Sequence, residues 1–180
     1  MLAPEPRTGT DAELLKKLQR GDNAAWAQVT RDFSPRLYSY LRQNLPTVED
    51  AEDVLSETLT AAVRSVANFD GRAALSTYLY AIAYRKVADF YRRTPSMESL
   101  DSEGSTVVLV SKEFGLQDRM LFEEAMQSLP ELSRQVLLMR YHVGLAVDEI
   151  ATILDRSYKG TESLLSRARA QMREAMEEST

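Results

Sequence analysis

Val147-Asp148-Glu149-Ile150-Ala151-Thr152-Ile153-Leu154, then Asp155-Arg156-Ser157, then Tyr158-Lys159-Gly160-Thr161-Glu162-Ser163-Leu164-Leu165-Ser166-Arg167-Ala168-Arg169, is the stretch on which the fold turns. Ile150, Ala151 and Leu154 fall on one face of a helix of one or two turns. Leu164, Leu165 and Ala168 fall on one face of a longer helix that runs to about Glu177. A short helix, a tight turn and a longer helix make a helix-turn-helix. In such a unit the N-terminal part of the second helix enters the major groove of duplex DNA. That singles out Tyr158, Lys159, Glu162, Ser163, Ser166 and Arg167 as base- or phosphate-facing candidates. A plain helical hairpin has the same periodicity, so spacing alone leaves the two readings even.

Working outward, the rest of the chain is also helical by pattern. Met120, Leu121, Ala125 and Leu129 repeat at helical spacing, and Leu129-Pro130-Glu131 breaks one helix and starts another that continues to Gly144. The region 118–178 therefore reads as one helical unit. Upstream, 94–117 is polar and acidic (Glu98, Asp101, Glu103, with Ser96, Ser99, Ser102 and Ser105) and reads as a linker, its run Val107–Val110 too small to build a sheet. Before it, 11–93 reads as a second run of helices. Asp11 is expected to cap Ala12–Arg20, which Gly21 ends. Trp26, Val29, Phe33, Leu37 and Leu41 form the next stripe, interrupted by Pro35, which either kinks the helix or starts a new one capped by Ser34. Thr47 with Asp50 resembles a capping box, opening a helix with a stripe at Val48, Ala51, Leu55, Leu59, Ala62 and Val66. After the loop Asn68-Phe69-Asp70-Gly71-Arg72, a helix from Leu75 to Arg93 turns Leu75, Leu79, Ile82, Ala83, Val87 and Phe90 inward. The expectation is an all-α protein: a disordered 1–10, helical domains at 11–93 and 118–178, and a flexible acidic linker at 94–117.

Composition narrows the chemistry. The 180 residues include no Cys and one His, His142, which excludes disulfides, thiolate or paired-His metal sites and a cysteine nucleophile. No phosphate loop or nucleophile elbow is present. No cofactor or metal is expected. No apolar run reaches the roughly 18 residues of a membrane span, and the N-terminus lacks a signal-peptide pattern, so no membrane insertion and a cytoplasmic location are expected. Lys and Arg number 22 against 27 Asp and Glu, a net charge of −5 that by itself argues against nucleic acid.

The charge is unevenly placed, however. Arg85-Lys86-Val87-Ala88-Asp89-Phe90-Tyr91-Arg92-Arg93 carries four bases and one acid, with Tyr78, Tyr80, Tyr84 and Tyr91 interleaved. Cations for phosphates with aromatics for unstacked bases suit a single strand, although a solvated basic helix end is as good a reading. Conversely, Glu49, Asp50, Glu52, Asp53 and Glu57 form an acidic face without a base. Acid–base catalysis or a hard-cation site is conceivable there, but a solvated or partner-docking face near a helix N-terminus is the simpler account.

Together these residues resemble a known family. Asp50-Ala51-Glu52-Asp53-Val54-Leu55-Ser56-Glu57-Thr58-Leu59 resembles the D-A-E-D-x-x-Q-E-x-F stretch of the extracytoplasmic function (ECF) sigma factors of the sigma-70 family. Phe69-Asp70-Gly71 with Ser76–Ala83 resembles the F-x-G and W-L-x-x-I-A segments that follow, and Asp89–Arg93 resembles D-x-x-R-R. Leu129-Pro130-Glu131, Gly144–Ala151 and Leu165–Arg169 resemble the family's C-terminal helix-turn-helix. The resemblance implies a non-enzymatic promoter-specificity subunit of RNA polymerase. It places Asp50, Asp53, Ser56 and Glu57 on the clamp helices of the β′ subunit, and the C-terminal unit beside the β flap. It places Asn68, Phe69, Asp70, Gly71 and Arg72 around a flipped base of the −10 element, with Phe69 either touching that base or plugging the core beneath it. Tyr80, Arg85, Lys86, Arg92 and Arg93 join the −10 contacts, and Tyr158, Lys159, Glu162, Ser163, Ser166 and Arg167 read the −35 element. A separate anti-sigma protein is the expected regulator, and the acidic linker resembles the segment that threads the RNA exit path. Thr58 and Thr60 are less favoured candidates for phosphorylation.

The sequence also departs from the family. Tyr78 replaces the usual Trp, Ser56 the usual Gln, and Asp155 a common Gly. Where the family often has V-G-T-V-K-S-R-L, this chain has Tyr158–Leu165, losing bases at Glu162 and Leu164 and gaining one at Lys159. Glutamate can accept from cytosine N4 but repels phosphate, so the free protein is expected to bind duplex DNA poorly, with a shallow salt slope. The alternative is a stand-alone helix-turn-helix regulator, which would bind duplex tightly without polymerase. A helical enzyme using the 49–57 carboxylates is a third and weaker reading.

Overall fold

A computed structural model describes residues 9–93 and 116–178, and among them the chain is helical with no strand. Two compact units separate, one built from the helices before residue 94 and one from those after 115. Residues 94–115 of the expected linker, including Val107–Val110, and the first eight residues lie outside the described residues, while Leu116 and Gln117, expected in the linker, belong to a helix.

In the first unit α1 is Gly9–Gln19, α2 Asn23–Asn44, α3 Val48–Ser65 and α4 Leu75–Arg93, with a 3₁₀ turn at Val66–Asn68. Since α1 begins at Gly9, Asp11 lies inside its first turn and is not its cap, and residues 9 and 10 belong to the helix. Gly21 ends it in the left-handed region, φ 75°. Asp22 caps α2 by accepting from the Ala25 N–H at 3.0 Å. One helix runs through Pro35, so Ser34 starts no second one; its hydroxyl is buried and has no partner among the described residues. Val29, Leu37, Tyr40 and Leu41 are buried on both sides of the proline. Each is worth about 2 kcal/mol of burial, together more than the roughly 3 kcal/mol that an interior proline costs.

The Thr47 cap of α3 is only half a capping box. Thr47 Oγ1 accepts from the Asp50 N–H at 3.0 Å, but the Asp50 carboxylate takes the Thr47 hydroxyl at 2.6 Å instead of reaching the backbone. The buried face of α3 is Ala51, Val54, Thr58 and Ala62, rotated from the expected stripe. Leu55 and Leu59 are half-buried, and Val48, at the helix start, is exposed. Thr58 can sit in the core because its hydroxyl donates to the Val54 carbonyl at 2.7 Å. That placement removes Thr58 as a phosphorylation site, while Thr60 is exposed.

The second unit contains α5 (Leu116–Ser128), α6 (Glu131–Leu137), α7 (Val147–Leu154) and α8 (Tyr158–Glu178). The helix after Pro130 does end at Gly144 (φ 85°), but its last six residues, Leu138–Val143, widen into a π-helical turn. Arg140 then closes the corner by donating to the Leu145 carbonyl at 2.8 Å. At the start of α7 the Glu149 carboxylate accepts from the Ala146 N–H at 2.9 Å, while alanine has no side chain to return the bond. Ile150, Ala151 and Ile153 bury the inner face of α7, and Leu154 is half-buried.

Candidate interaction surfaces

The turn between α7 and α8 sets the C-terminal surface. Asp155 itself adopts the left-handed conformation, φ 52° and ψ 49°, where glycine is the cheapest residue. The Arg156 N–H then bonds the Ala151 carbonyl at 2.9 Å, closing α7. Ser157 starts α8: its Oγ accepts from the Gly160 N–H at 3.1 Å, and its carbonyl accepts from the Thr161 N–H at 3.0 Å and the Thr161 hydroxyl at 3.1 Å. A side chain at position 160 would bring its Cβ to 3.1 Å from that Ser157 oxygen. Thr161, Leu164, Leu165, Ala168 and Met172 are buried. Tyr158, Lys159, Glu162, Ser163, Ser166 and Arg167 are all exposed on the opposite face. The six predicted duplex-facing residues thus share one surface, of mixed charge.

In the first unit, the loop after α3 is braced from two directions. Gln19 of α1 donates its side-chain N–H groups to the carbonyls of Val66 (3.2 Å) and Phe69 (2.9 Å). Phe69 is half-buried and stacks on Tyr78, with centroids 4.4 Å apart. Tyr78 in turn places its hydroxyl 2.6 Å from Ser65 Oγ and donates to the Ala62 carbonyl at 3.0 Å, and burial raises its pKa. Asp70 accepts from the Arg72 N–H at 3.0 Å and pairs with its guanidinium at 3.1 Å. Gly71 has φ 72°, and a Cβ there would meet Leu15 of α1 at 2.8 Å. Between α1 and the loop lies a cavity of about 620 Å³, with Lys16 and Gln19 on one wall and Asn68, Phe69, Asp70 and Gly71 on the other. The α1 wall, Gln19 in particular, escaped sequence reasoning because only packing brings it to the loop.

The four tyrosines of α4 are not a stacking platform. Tyr80 is 2 % exposed and meets Tyr40 edge-on at 5.5 Å, and burial drives its phenol far above the ordinary range despite the opposing Arg36 charge. Its expected place at the −10 element is therefore corrected: it belongs to the core. The reason is that α4 packs against both α2 and α3, so a wider arc of it is buried than one stripe. Tyr91 donates to the Asn44 carbonyl at 2.5 Å, and Tyr84 is half-buried.

A second cavity, about 630 Å³, opens between α3 and α4. It brings Ser56 and Glu57, expected on the polymerase side, next to Arg85 and Lys86, expected on the DNA side, and adds Arg64, a cation sequence reasoning passed over. Lys86 donates to the Glu57 carboxylate at 2.9 Å, and Arg93 stands 3.6 Å from the same oxygen. The Lys86 hydrogen bond holds the Glu57 carboxyl below its ordinary pKa, against the opposing effect of burial. Arg92 pairs with Asp89. Among the described residues Arg85 and Arg64 have no ion-pair partner. Asp53 and Ser56 are exposed, and Asp50 is half-buried and held by Thr47. No group of three or more metal-ligating side chains occurs among the described residues. No described helix is long and apolar enough to cross a membrane.

A family model described as sigma-70 region 2 matches residues 29–95, and one described as sigma-70 region 4 matches 119–172. The ECF RNA polymerase sigma-E factor of Escherichia coli is 28% identical over 174 residues, covering 89% of this chain and 91% of that protein. The RNA polymerase sigma-H factor of Pseudomonas aeruginosa is 25% identical over 181 residues, covering 93% and 94%. Among solved structures, CnrH in complex with the cytosolic domain of CnrY shares the fold with a TM-score of 0.73 at 22% identity, over 94% of this chain and 99% of that one. RpoE of Bartonella quintana, in complex with the anti-sigma factor NepR, gives 0.63 at 19% identity, over 84% and 96%.

Proposed function

This chain belongs to the ECF group of the sigma-70 family, and from that premise we propose that it directs core RNA polymerase to its own promoters and helps open their −10 element. It is a transcription-initiation factor and works as a binding subunit, without turnover of its own, in the cytoplasm where polymerase acts. The observation that carries the reading is the order of the parts: an acidic helix, a braced loop beside a cavity, a basic helix, then a helix-turn-helix with one exposed face. Asp50, Asp53 and Ser56 form the docking surface for the β′ clamp helices. The cavity between α1 and the loop receives a base taken out of the stack, a step that costs a few kcal/mol of stacking and needs such a cradle. Arg85, Lys86, Arg92 and Arg93 hold the phosphates of the opened strand, and the exposed face of α8 meets the −35 duplex.

An anti-sigma protein regulates the factor. Support comes from the similar folds of CnrH and RpoE, each solved with a protein partner bound. The test is reconstitution: purified protein, core polymerase and a promoter fragment from its own operon. Specific run-off transcripts dependent on the added protein are expected. Failure to associate with core, combined with tight duplex binding by the protein alone, would replace this reading with the stand-alone regulator.

A further inference from the structure

Three of the four cations assigned to the opened strand are already paired: Arg92 with Asp89 on its own helix, and Lys86 and Arg93 with one carboxylate of α3. Lys86 Nζ and Arg93 Nη2 stand 2.9 Å and 3.6 Å from one oxygen, Oε2 of Glu57, across the cleft between α3 and α4. Glu57 differs in this from its neighbours on the acidic helix. Glu49, Glu52 and Asp53 are exposed and have no ion-pair partner among the described residues.

We propose that Glu57 is an internal competitor of nucleic-acid phosphate: in the free protein its carboxylate occupies Lys86 and Arg93, and a single strand must displace it to engage them. The inference rests on the proposed strand path along α4. A carboxylate and a phosphate diester each offer anionic oxygens to the same N–H donors, so either can fill the site. Exchange between them is cheap because the pair is only half-buried, and such pairs hold weakly. Arg85 and Arg64 line the same cleft without ion-pair partners among the described residues, so a strand can attach there first and then take Lys86. Glu57 is thereby a positioning residue, setting how readily α4 accepts a strand.

The experiment uses the full-length protein and a labelled oligothymidylate of about twelve nucleotides, within the reach of one single-strand site, titrated across salt concentrations. Glu57→Gln is expected to raise affinity about threefold. It should also steepen the logarithmic salt slope by about 0.7 for each cation released. Glu52→Gln removes the same net charge from the same helix and is expected to leave the slope alone. Adding Lys86→Gln to Glu57→Gln should erase most of the gain. If the Gln variant does not fold, Glu57→Asp, with a shorter reach and the charge retained, should still raise affinity. Affinity and slope no greater than those of Glu52→Gln overturn the proposal. Association with core polymerase, measured separately on the unmodified protein, tests the wider reading. Its failure beside a Glu57→Gln gain would sink that reading and leave the competition standing.

Discussion

Phe69 lies on Tyr78 with ring planes 22° from parallel, and the Tyr78 hydroxyl is fixed to α3 through Ser65 and Ala62. The loop's aromatic is thus fastened to α3 by way of α4. Where the family usually has Trp, the Tyr hydroxyl adds a polar link to the stack. Tyr78→Phe keeps the ring and loses that link, and is expected to cost about 1 kcal/mol in urea unfolding. Phe69→Ala loses the stack, worth about 0.5–1.5 kcal/mol beyond its buried area, and should cost more. Equal stability of Tyr78→Phe and the unmodified protein would show that the phenol bonds are idle.

Asp155 holds a left-handed conformation without glycine's freedom. Asp155→Gly is expected to stabilise the C-terminal unit by about 0.5–1 kcal/mol, and Asp155→Val to destabilise it. Thermal melts of the three proteins decide it, and a lower melting temperature for the Gly variant would contradict the strain.

Gln19 makes both of its loop contacts through one amide nitrogen. Gln19→Ala is expected to leave helix content unchanged and to weaken capture of the −10 base. With 2-aminopurine at the flipped position, the holoenzyme's fluorescence rise should fall several-fold. An undiminished rise would mean that the loop keeps its shape without α1.

His142 is half-buried, and burial lowers its pKa. The unfolded chain therefore binds the proton more readily than the folded one. The stability contributed by neutral His142 is present above the ordinary value of about 6.5 and is lost as pH falls through and below it. His142→Gln should flatten the stability–pH profile in that range. An identical slope in both proteins would assign the acid sensitivity elsewhere.

Much of this was open to inspection in the chain itself. Helical spacing located the helices, and Gly21 and Gly144 announced their stops, because glycine alone enters the left-handed region at no cost. Asp155 makes the same stop but gives a weaker signal, since aspartate usually marks helix starts. The α8 face was legible because its buried residues, Thr161, Leu164, Leu165, Ala168 and Met172, keep to one narrow stripe. For α4 the same rule failed: Thr77, Leu79, Tyr80, Ile82, Ala83 and Val87 are buried over a wider arc, so Tyr80 went into the core while being read as a DNA contact. Thr58 was missed as core because its burial depends on a bond to Val54, which apolarity does not register. The Glu57–Lys86 pair joins residues far apart in sequence, and no local pattern encodes it.

Gln19 and Leu15, which brace and crowd the loop, belong to α1, whereas the region 2 match begins only at residue 29. A fragment cut to the matched segment would keep the acidic helix, the aromatic stack and the basic helix. It would lack the α1 wall of the cavity proposed to receive the base. Such a fragment is expected to dock on polymerase yet fail to hold an extruded base, so recruitment and melting would separate at the N-terminal edge of the chain.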